Sequence, residues 1–323
     1  MTLIIGLYTN WHAMQVSDRL VTLRTSTGPP QPFDVLANKT VIYFARRGIV
    51  SISFAGLAYL GQKTTDQWAA ETLSGVDLSV PSALAIGRQI SYPFDVGQAV
   101  EHLRSQAGVA MRREPPAARR EVLDFQIVGS QWDRRHRRLR PVIWKVTNAR
   151  RGEAHLEKLV TPRTWDIQRG WYVIGSGMGF QEARQYMRER FSASGGLRSP
   201  ENCLNVMVDA VREVSKSFSE VGADCMCVHI QGASPRVTVS FRPKATYRIG
   251  TTGGDLLGPI AFTPYVIARD MVARPSLSSN KMFMATPGVD IRFEAGPTVP
   301  IDQQPALLQH LDRPDRPRGG GRP

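Results

Sequence analysis

Residues 1–18 read MTLIIGLYTNWHAMQVSD, and this stretch decides the fold. Two runs rich in branched and aromatic residues, TLIIGLY (2–8) and HAMQVSD (12–18), are joined through TNWH, a pattern that predicts an antiparallel strand pair. The first strand begins at the second residue, directly after methionine. This early start raises the question of whether the amino group of Thr2 has a function of its own.

Outward from this pair, the chain alternates strands with pairs of helices. The sequence predicts a second hairpin, two helices, a hairpin with an arginine-rich loop, another strand, two more helices and two closing strands. This order predicts an α+β fold with two stacked sheets between two pairs of helices, a four-layer αββα sandwich with a C-terminal extension. The expected helices cover residues 59–73, 96–112, 180–191 and 200–218, and the later strands lie at 40–56, 122–132, 141–147, 171–175, 225–231 and 237–243.

The last third of the chain has a weaker pattern. Glycine and proline become frequent after residue 245, with short apolar segments between them, and the chain ends in DRPDRPRGGGRP. We therefore expect one domain over residues 2–245, an appended segment of unknown role over 246–301, and a disordered tail over 302–323.

The composition bounds the class of protein. With 323 residues and 42% hydrophobic content, the chain can bury a large core without metals or disulfides. It contains no run of about 20 apolar residues and no basic, apolar leader, so we expect a cytoplasmic protein without a membrane partner. Cys203, Cys225 and Cys227 form a sparse, odd set that is more typical of core thiols than of disulfides or metal ligands.

The formal net charge of +13 could indicate an anionic partner. Arginine is concentrated in DRRHRRLRP (133–141), between two apolar segments, which is typical of a hairpin with a charged loop. We interpret Arg134 to Arg140 as a solvated turn, with polyanion binding as the alternative. Aromatic residues do not interleave with these arginines as single-strand binders require, so we expect no nucleic-acid partner.

The glycine-rich stretch VIGSGMGF (173–180) could be interpreted as a phosphate-binding loop between a strand and a helix. The dinucleotide pattern requires glycine where Phe180 stands, and the lysine of the phosphate loop is missing. The sequence therefore predicts no nucleotide at this turn and no cofactor elsewhere.

The motifs TLIIGLY, VSDRLVT, NKTVIYF, FAGLAYLGQ and IGSGMGF resemble, in order and spacing, the proteasome β-subunit family of N-terminal nucleophile hydrolases. The resemblance extends over about residues 2–243 and includes bacterial proteasome-like peptidase subunits. It implies that Thr2 is the nucleophile, with Asp18 sixteen positions later and Lys39 in the following strand. It also implies that the amide of Gly56 stabilises an oxyanion.

The resemblance further implies support for the threonine amine. Ser176 corresponds to the serine of the family's glycine motif, and Glu220 stands where the family has an aspartate. Ala223 stands where the family has a serine, so the chain departs from the pattern there.

Three functions remain open from the sequence. The first is a threonine peptidase or amidohydrolase acting on peptide or protein substrates, assembled as a homo-oligomer, with an ATP-dependent unfoldase as a further partner that the sequence does not identify. The second is a catalytically silent proteasome-like scaffold. The third is a polyanion-binding module that uses Arg134 to Arg140.

Overall fold

The opening hairpin forms as the sequence predicts. Strand β1 (Leu3–Thr9) pairs antiparallel with β2 (His12–Asp18), with Leu7 opposite Met14. The computed structural model describes residues 2–9, 12–23, 31–34, 37–78, 84–86, 94–133, 138–149, 156–160, 171–193, 199–231, 236–242, 244, 261–268, 271–273, 276–277, 281–286 and 289–294.

The helices and strands follow one another in the predicted order. Within the described ranges the helices are α1 (Thr65–Ser74), α2 (Val96–Arg113), α3 (Pro116–Arg119), α4 (Phe180–Ala193) and α5 (Pro200–Ser215). The remaining strands are β3 (Val21–Leu23), β4 (Gln31–Asp34), β5 (Thr40–Ala45), β6 (Gly48–Gly56), β7 (Tyr59–Leu60), β8 (Lys63–Thr64), β9 (Leu84–Ile86), β10 (Leu123–Asp133), β11 (Arg138–Thr147), β12 (Glu157–Val160), β13 (Trp171–Gly177), β14 (Cys225–Gln231), β15 (Arg236–Arg242), β16 (Ala261–Phe262), β17 (Tyr265–Ala268), β18 (Met271–Ala273), β19 (Ser276–Leu277), β20 (Lys281–Thr286) and β21 (Val289–Glu294).

Two sheets contain most of the strands. The first sheet has the order β13-β1-β2-β14-β15-β21-β20, and the second sheet has the order β12-β11-β10-β6-β5-β17-β18-β9. Central strands of both sheets are buried on both faces, which explains why they are nearly continuous apolar runs. Gly6 on β1 marks the close approach of the sheets, because a Cβ there would lie 2.8 Å from Cγ2 of Val128 on β10.

Three apolar clusters separate four layers, which confirms the predicted α+β sandwich. One cluster packs α1 and α2 against the second sheet, the next fills the space between the sheets, and the third packs α4 and α5 against the first sheet. Representative buried residues are Leu73, Leu103 and Phe125 in the first, Ile42, Val228 and Phe293 in the second, and Ile5, Met187 and Val211 in the third.

The first predicted helix begins later than expected. Residues 59–64 form the short hairpin β7–β8 instead, and α1 starts only at Thr65. Gly61 causes the difference, because its φ of 64° makes the tight turn that a continuing helix excludes. The helix ends where Gly75 takes a left-handed conformation, with φ 70°.

The segment after residue 245 contributes strands to both sheets. Strand β17 pairs parallel with β5 in the second sheet, and β21 pairs parallel with β15 in the first. Its described part therefore extends the two sheets, while the division into a domain and an appended segment stays a prediction. The expected tail over 302–323 lies outside the described residues.

Candidate active site

Four strands of the first sheet have one of their ends at the same border of the sheet, and this border of strand ends is called its edge. Strands β1 and β14 begin there, and β2 and β13 end there, as antiparallel pairing requires. The register sets Leu3 opposite Gly177 and Cys225 opposite Asp18. Thr2, which directly precedes β1, is buried at this edge with 6% of its surface exposed.

The second sheet presents a corresponding edge. Strand β5 begins, β6 ends and β10 begins at this edge, with Thr40 opposite Ser53 and Gly56 opposite Leu123. The carbonyl of Lys39 accepts a hydrogen bond from the main-chain N–H of Phe54 at 3.0 Å, so the lysine backbone is fixed to β6.

A buried ion pair joins the two edges. Nζ of Lys39 lies 3.2 Å from Oδ1 and 3.1 Å from Oδ2 of Asp18, and the side chains are 1% and 0% exposed. Nζ also donates to the carbonyl of Leu20 at 2.5 Å, so each of the three ammonium protons has an acceptor. Burial lowers the pKa of Lys39, and the charge and hydrogen bonds of Asp18 oppose that shift.

The carboxylate of Asp18 is also bound by three main-chain N–H groups. Leu3 donates to Oδ1 at 2.8 Å, while Leu20 and Gly222 donate to Oδ2 at 3.2 Å and 3.0 Å. Such donors stabilise the ionised form of a buried carboxyl group. The N–H of Leu3 belongs to the peptide group that joins Thr2 to Leu3, so Asp18 links the lysine to the backbone of the expected nucleophile.

Two glycines at this edge have conformations that other residues rarely adopt. Gly56 has φ 94°, and a Cβ there would lie 1.6 Å from the carbonyl oxygen of Val122. Gly177 has φ 99°, and a Cβ there would lie 1.5 Å from the carbonyl oxygen of Thr2. Both positions require glycine for close backbone contact.

Ser176 is on β13, directly beside β1, and its side chain is buried. Glu220 lies in the turn between α5 and β14 and is half-buried. The hydrogen bond from this turn to Asp18 comes from the main chain of Gly222, a residue that the sequence did not indicate.

Ala223, which also lies between α5 and β14, offers no side-chain hydrogen bond because its side chain is a methyl group. Its main-chain carbonyl accepts a hydrogen bond from Nε of Arg212 at 3.5 Å.

The segment after residue 245 also reaches this region, which the sequence analysis missed. Nδ2 of Asn38, next to Lys39, donates to the carbonyl of Thr263 at 3.1 Å. Both residues are buried, Asn38 with 5% and Thr263 with 0% exposed. Every residue type has a main-chain carbonyl that can accept a hydrogen bond, so the sequence could not reveal this contact.

The three cysteines are free and buried, as the sequence predicts for core thiols. Burial raises the pKa of Cys203 to about 11 and that of Cys227 to about 12, and it raises the pKa of Cys225 well above its usual value. These thiols are therefore protonated and unreactive near neutral pH.

The described residues contain no group of three or more side chains suited to bind a metal ion. In the same part of the chain, no helix is long and apolar enough to cross a membrane.

Of the arginine run, the described residues include the guanidinium of Arg140. Its Nε lies 2.6 Å from Oδ2 of Asp133 across the β10–β11 hairpin. Residues 134–137, where most of the run lies, are outside the described ranges.

Comparison with solved structures finds chains that are similar to part of this one. Anbu from Hyphomicrobium sp. strain MC1 is similar over 71% of this chain and 82% of its own, with 9% identity and a TM-score of 0.42. A Gly-1 mutant of that protein matches over 71% of this chain and 80% of its own, with 12% identity and a TM-score of 0.43.

HslV from Trypanosoma brucei is similar over 71% of this chain and 99% of its own, with 14% identity and a TM-score of 0.39. Anbu and HslV are both proteasome-like proteins, and the family that the sequence motifs resemble is the proteasome β-subunit family. No family model and no curated protein matches the chain.

Proposed function

We propose that this protein is an N-terminal threonine hydrolase that cleaves peptide or amide bonds through an acyl-enzyme on Thr2. One observation carries the proposal. The carboxylate of Asp18 binds both the ammonium of Lys39, at 3.1 Å, and the N–H of Leu3, at 2.8 Å. A buried acid and base are thereby linked to the peptide group that follows Thr2.

In the proposed reaction, removal of Met1 frees the α-amine of Thr2. This amine, whose ordinary pKa is about 7.7 to 8.0, takes the proton of the Thr2 hydroxyl. The neighbouring ammonium of Lys39 disfavours a second positive charge on the amine, so the amine stays unprotonated and its lone pair is free to accept the proton. Asp18 holds the lysine charged and oriented.

The hydroxyl oxygen of Thr2 then attacks the substrate carbonyl. The amide of Gly56 stabilises the resulting oxyanion, and loss of such a donor costs about 100- to 1000-fold in rate in other enzymes. The α-ammonium returns its proton to the leaving amine, and an ester on Thr2 remains. Water hydrolyses this ester with the same amine as base.

The substrate we propose is a peptide or protein segment, and we expect the chain to act in the cytoplasm as a homo-oligomer. An ATP-dependent unfoldase is a further partner to test. Measurement of the assembly mass in solution, with and without such a partner, examines these expectations separately from the chemistry.

Intact mass and covalent labelling test the proposed chemistry. The protein purified from its native host should begin at Thr2, and a β-lactone should add once per chain at that residue. Thr2→Ala should abolish labelling, whereas Thr2→Ser should retain part of it because serine offers the same hydroxyl beside the same amine. Retention of Met1 on nearly all molecules, or a label on Cys203 instead, would refute the proposal.

A silent scaffold is the second candidate, and Ala223 favours it. A methyl group stands where the resemblance implies a supporting hydroxyl, so the amine loses one partner. This candidate predicts a protein that begins at Thr2 and assembles, yet shows no β-lactone adduct at any pH.

Polyanion binding through Arg134 to Arg140 is the weaker alternative, because aromatic residues do not interleave with these arginines. Affinity for a nucleic acid that falls steeply with salt, and disappears when these arginines are replaced, would support it instead.

A further inference from the structure

A second buried ion pair lies beside the candidate site. Oδ2 of Asp124, at the start of β10, is 2.8 Å from Nζ of Lys145 on β11, and the side chains are 5% and 26% exposed. The same Nζ donates to the carbonyl of Gly175 on β13 at 3.3 Å. The pair therefore connects the second sheet to the strand of the first sheet that carries Ser176.

The side chains concerned face the space between the sheets. Leu123 and Phe125, the neighbours of Asp124, pack under α1 and α2, so Asp124 faces the opposite side of its strand. Lys145 lies on the same strand face as Ile143, and Ser176 lies on the same strand face as Ile174. Both isoleucines belong to the cluster between the sheets.

Thr2 has the same orientation. Leu3 packs against the helix layer, so Thr2 shares the other face of the strand with Ile4. Because Ile4 pairs with Ser176, Thr2 lies diagonally across from Ser176 on the same face.

One oxygen on each side of this contact has no hydrogen-bond partner among the described residues. These two buried atoms are Oδ1 of Asp124 and Oγ of Ser176. An unpaired buried polar atom is unfavourable, so each is the natural partner of the other. Burial raises the pKa of Asp124, and Lys145 and Ser176 both lower it, which agrees with a serine hydroxyl close to this carboxylate.

We infer that Asp124 is a positioning residue that acts through Ser176 and sets the direction of its hydroxyl group. The hydroxyl of Ser176 donates to Oδ1 of Asp124, and its oxygen accepts an N–H from the α-amine of Thr2. Lys145 keeps Asp124 ionised and holds it against β13. This inference rests on the proposed function.

The direction of the hydroxyl determines whether the amine can act as a base. A neutral amine has two N–H donors and one lone pair, and the lone pair must face the hydroxyl of Thr2. If Ser176 donated to the amine, it would occupy that lone pair. With its proton on the side of Asp124, Ser176 can only accept, and it supports the amine where Ala223 cannot.

Asp124→Asn tests the inference while keeping the size of the side chain. Its amide oxygen will face Lys145, so its NH₂ group donates to Ser176 and turns the serine proton toward the amine. We expect the rate of β-lactone addition to Thr2 at saturating reagent to fall about 10- to 100-fold, the worth of one hydrogen bond to a charged group. The concentration of β-lactone at half-saturation should not change.

A double-mutant cycle separates positioning from general damage. In a Ser176→Ala background, Asp124→Asn should cause no further loss, because its effect passes through Ser176. Asp133→Asn is the matched control on the same strand, because Asp133 is also in an ion pair, in its case with Arg140. It should label Thr2 at the wild-type rate.

The outcomes distinguish this inference from the proposed function. A wild-type protein that begins at Thr2 and is not labelled overturns both. Normal wild-type labelling with unchanged labelling of Asp124→Asn, or equal losses in both backgrounds, overturns only the inference. If Asp124→Asn does not fold, carbon-13 NMR titration of Asp124 decides, since Ser176→Ala should raise its pKa and an unchanged pKa would refute the contact.

Discussion

The ammonium of Lys39 lies 3.2 Å and 3.1 Å from the two carboxylate oxygens of Asp18, and the pair spans the two sheets beside Thr2. A buried pair of this kind contributes little net stability, because the loss of hydration offsets much of the attraction. Removal of one partner is costly, since it leaves a buried charge. Asp18 would keep three main-chain donors without the lysine, so the reaction should suffer more than the fold.

Lys39→Met should reduce β-lactone labelling of Thr2 at least about 100-fold, because the charge that keeps the amine unprotonated is lost. The free energy of unfolding in urea should fall by about 3 kcal/mol, the lower end for a broken buried pair. Lys63→Met is the control, since Lys63 pairs with Glu71 at the surface and should change stability by less than about 1 kcal/mol. A folded Lys39→Met protein labelled at the normal rate would contradict the assigned role.

Gly56→Ala should impair both stability and labelling. The new Cβ would meet the carbonyl of Val122 at 1.6 Å, and φ of 94° is unfavourable for alanine, so the end of β6 must move. We expect a loss of more than about 1 kcal/mol in urea unfolding. Gly97→Ala, in α2 with no atom within 4 Å of the new Cβ, should instead stabilise by up to about 1 kcal/mol. Equal behaviour of the two variants would argue against the backbone conformation described at Gly56.

Acid should destabilise the protein through a histidine pair far from the candidate site. Nε2 of His229 lies 2.9 Å from Nδ1 of His12, and burial with the neighbouring His12 lowers the pKa of His229 to about 4. Burial also lowers the pKa of His12. Between about pH 6.5 and pH 4 the unfolded chain binds more protons than the folded one, so stability falls as the pH falls.

Urea unfolding between pH 7 and pH 4 measures this effect. Each histidine adds a slope of at most about 1.4 kcal/mol per pH unit, and the double variant His12→Gln with His229→Gln should have a flatter profile. An identical slope in both proteins would show that the pair is not linked to folding.

Ile291→Ala should destabilise the whole protein, although it lies in the segment after residue 245. Ile291 on β21 is 0% exposed and belongs to the cluster between the sheets. Loss of such a side chain costs about 2 to 5 kcal/mol. Val122→Ala, at a residue that is 44% exposed, should change urea unfolding by no more than about 0.5 kcal/mol. A near-neutral Ile291→Ala would mean that the segment packs only loosely on the first sheet.

The sequence predicts the layers well because hairpins and helices are specified by local features, such as hydrophobic periodicity, turn residues and helix caps. The β5–β6 hairpin forms within the predicted range 40–56, and the predicted helix over 96–112 is found at Val96–Arg113. Proline at the first position and a serine cap, whose Oγ accepts from Asn202 at 3.2 Å, likewise mark the start of α5.

The parallel pairs could not be predicted in the same way. Strand β17 is four residues long and pairs with β5, which lies more than 200 positions earlier in the chain. Neither strand carries a signal that identifies its partner, and Gly258, Pro259 and Pro264 stand shortly before β17 and weaken its strand pattern. Pairing of this kind depends on the free edge that β5 offers once the rest of its sheet has formed.

The candidate site could be predicted only as far as its side chains follow a familiar pattern. Thr2, Asp18 and Lys39 were proposed from the resemblance of their motifs to a known family, but the main-chain donors around Asp18 belong to Leu3, Leu20 and Gly222. Asp124 was not identified as a functional residue, since one carboxylate at the start of an apolar strand has no pattern of its own.

The position of β17 beside β5 also has a consequence for synthesis on the ribosome. The strand that begins next to Lys39 gains its second neighbour only when a segment about 225 residues later has emerged, as the Asn38–Thr263 bond shows. At about 5 to 20 residues per second, this delay lasts roughly 10 to 45 s. During that time the unpaired side of β5 is open to pairing with other nascent chains, and the structure around Lys39 is incomplete. Any activity at the candidate site should therefore appear only after nearly the whole chain has been made.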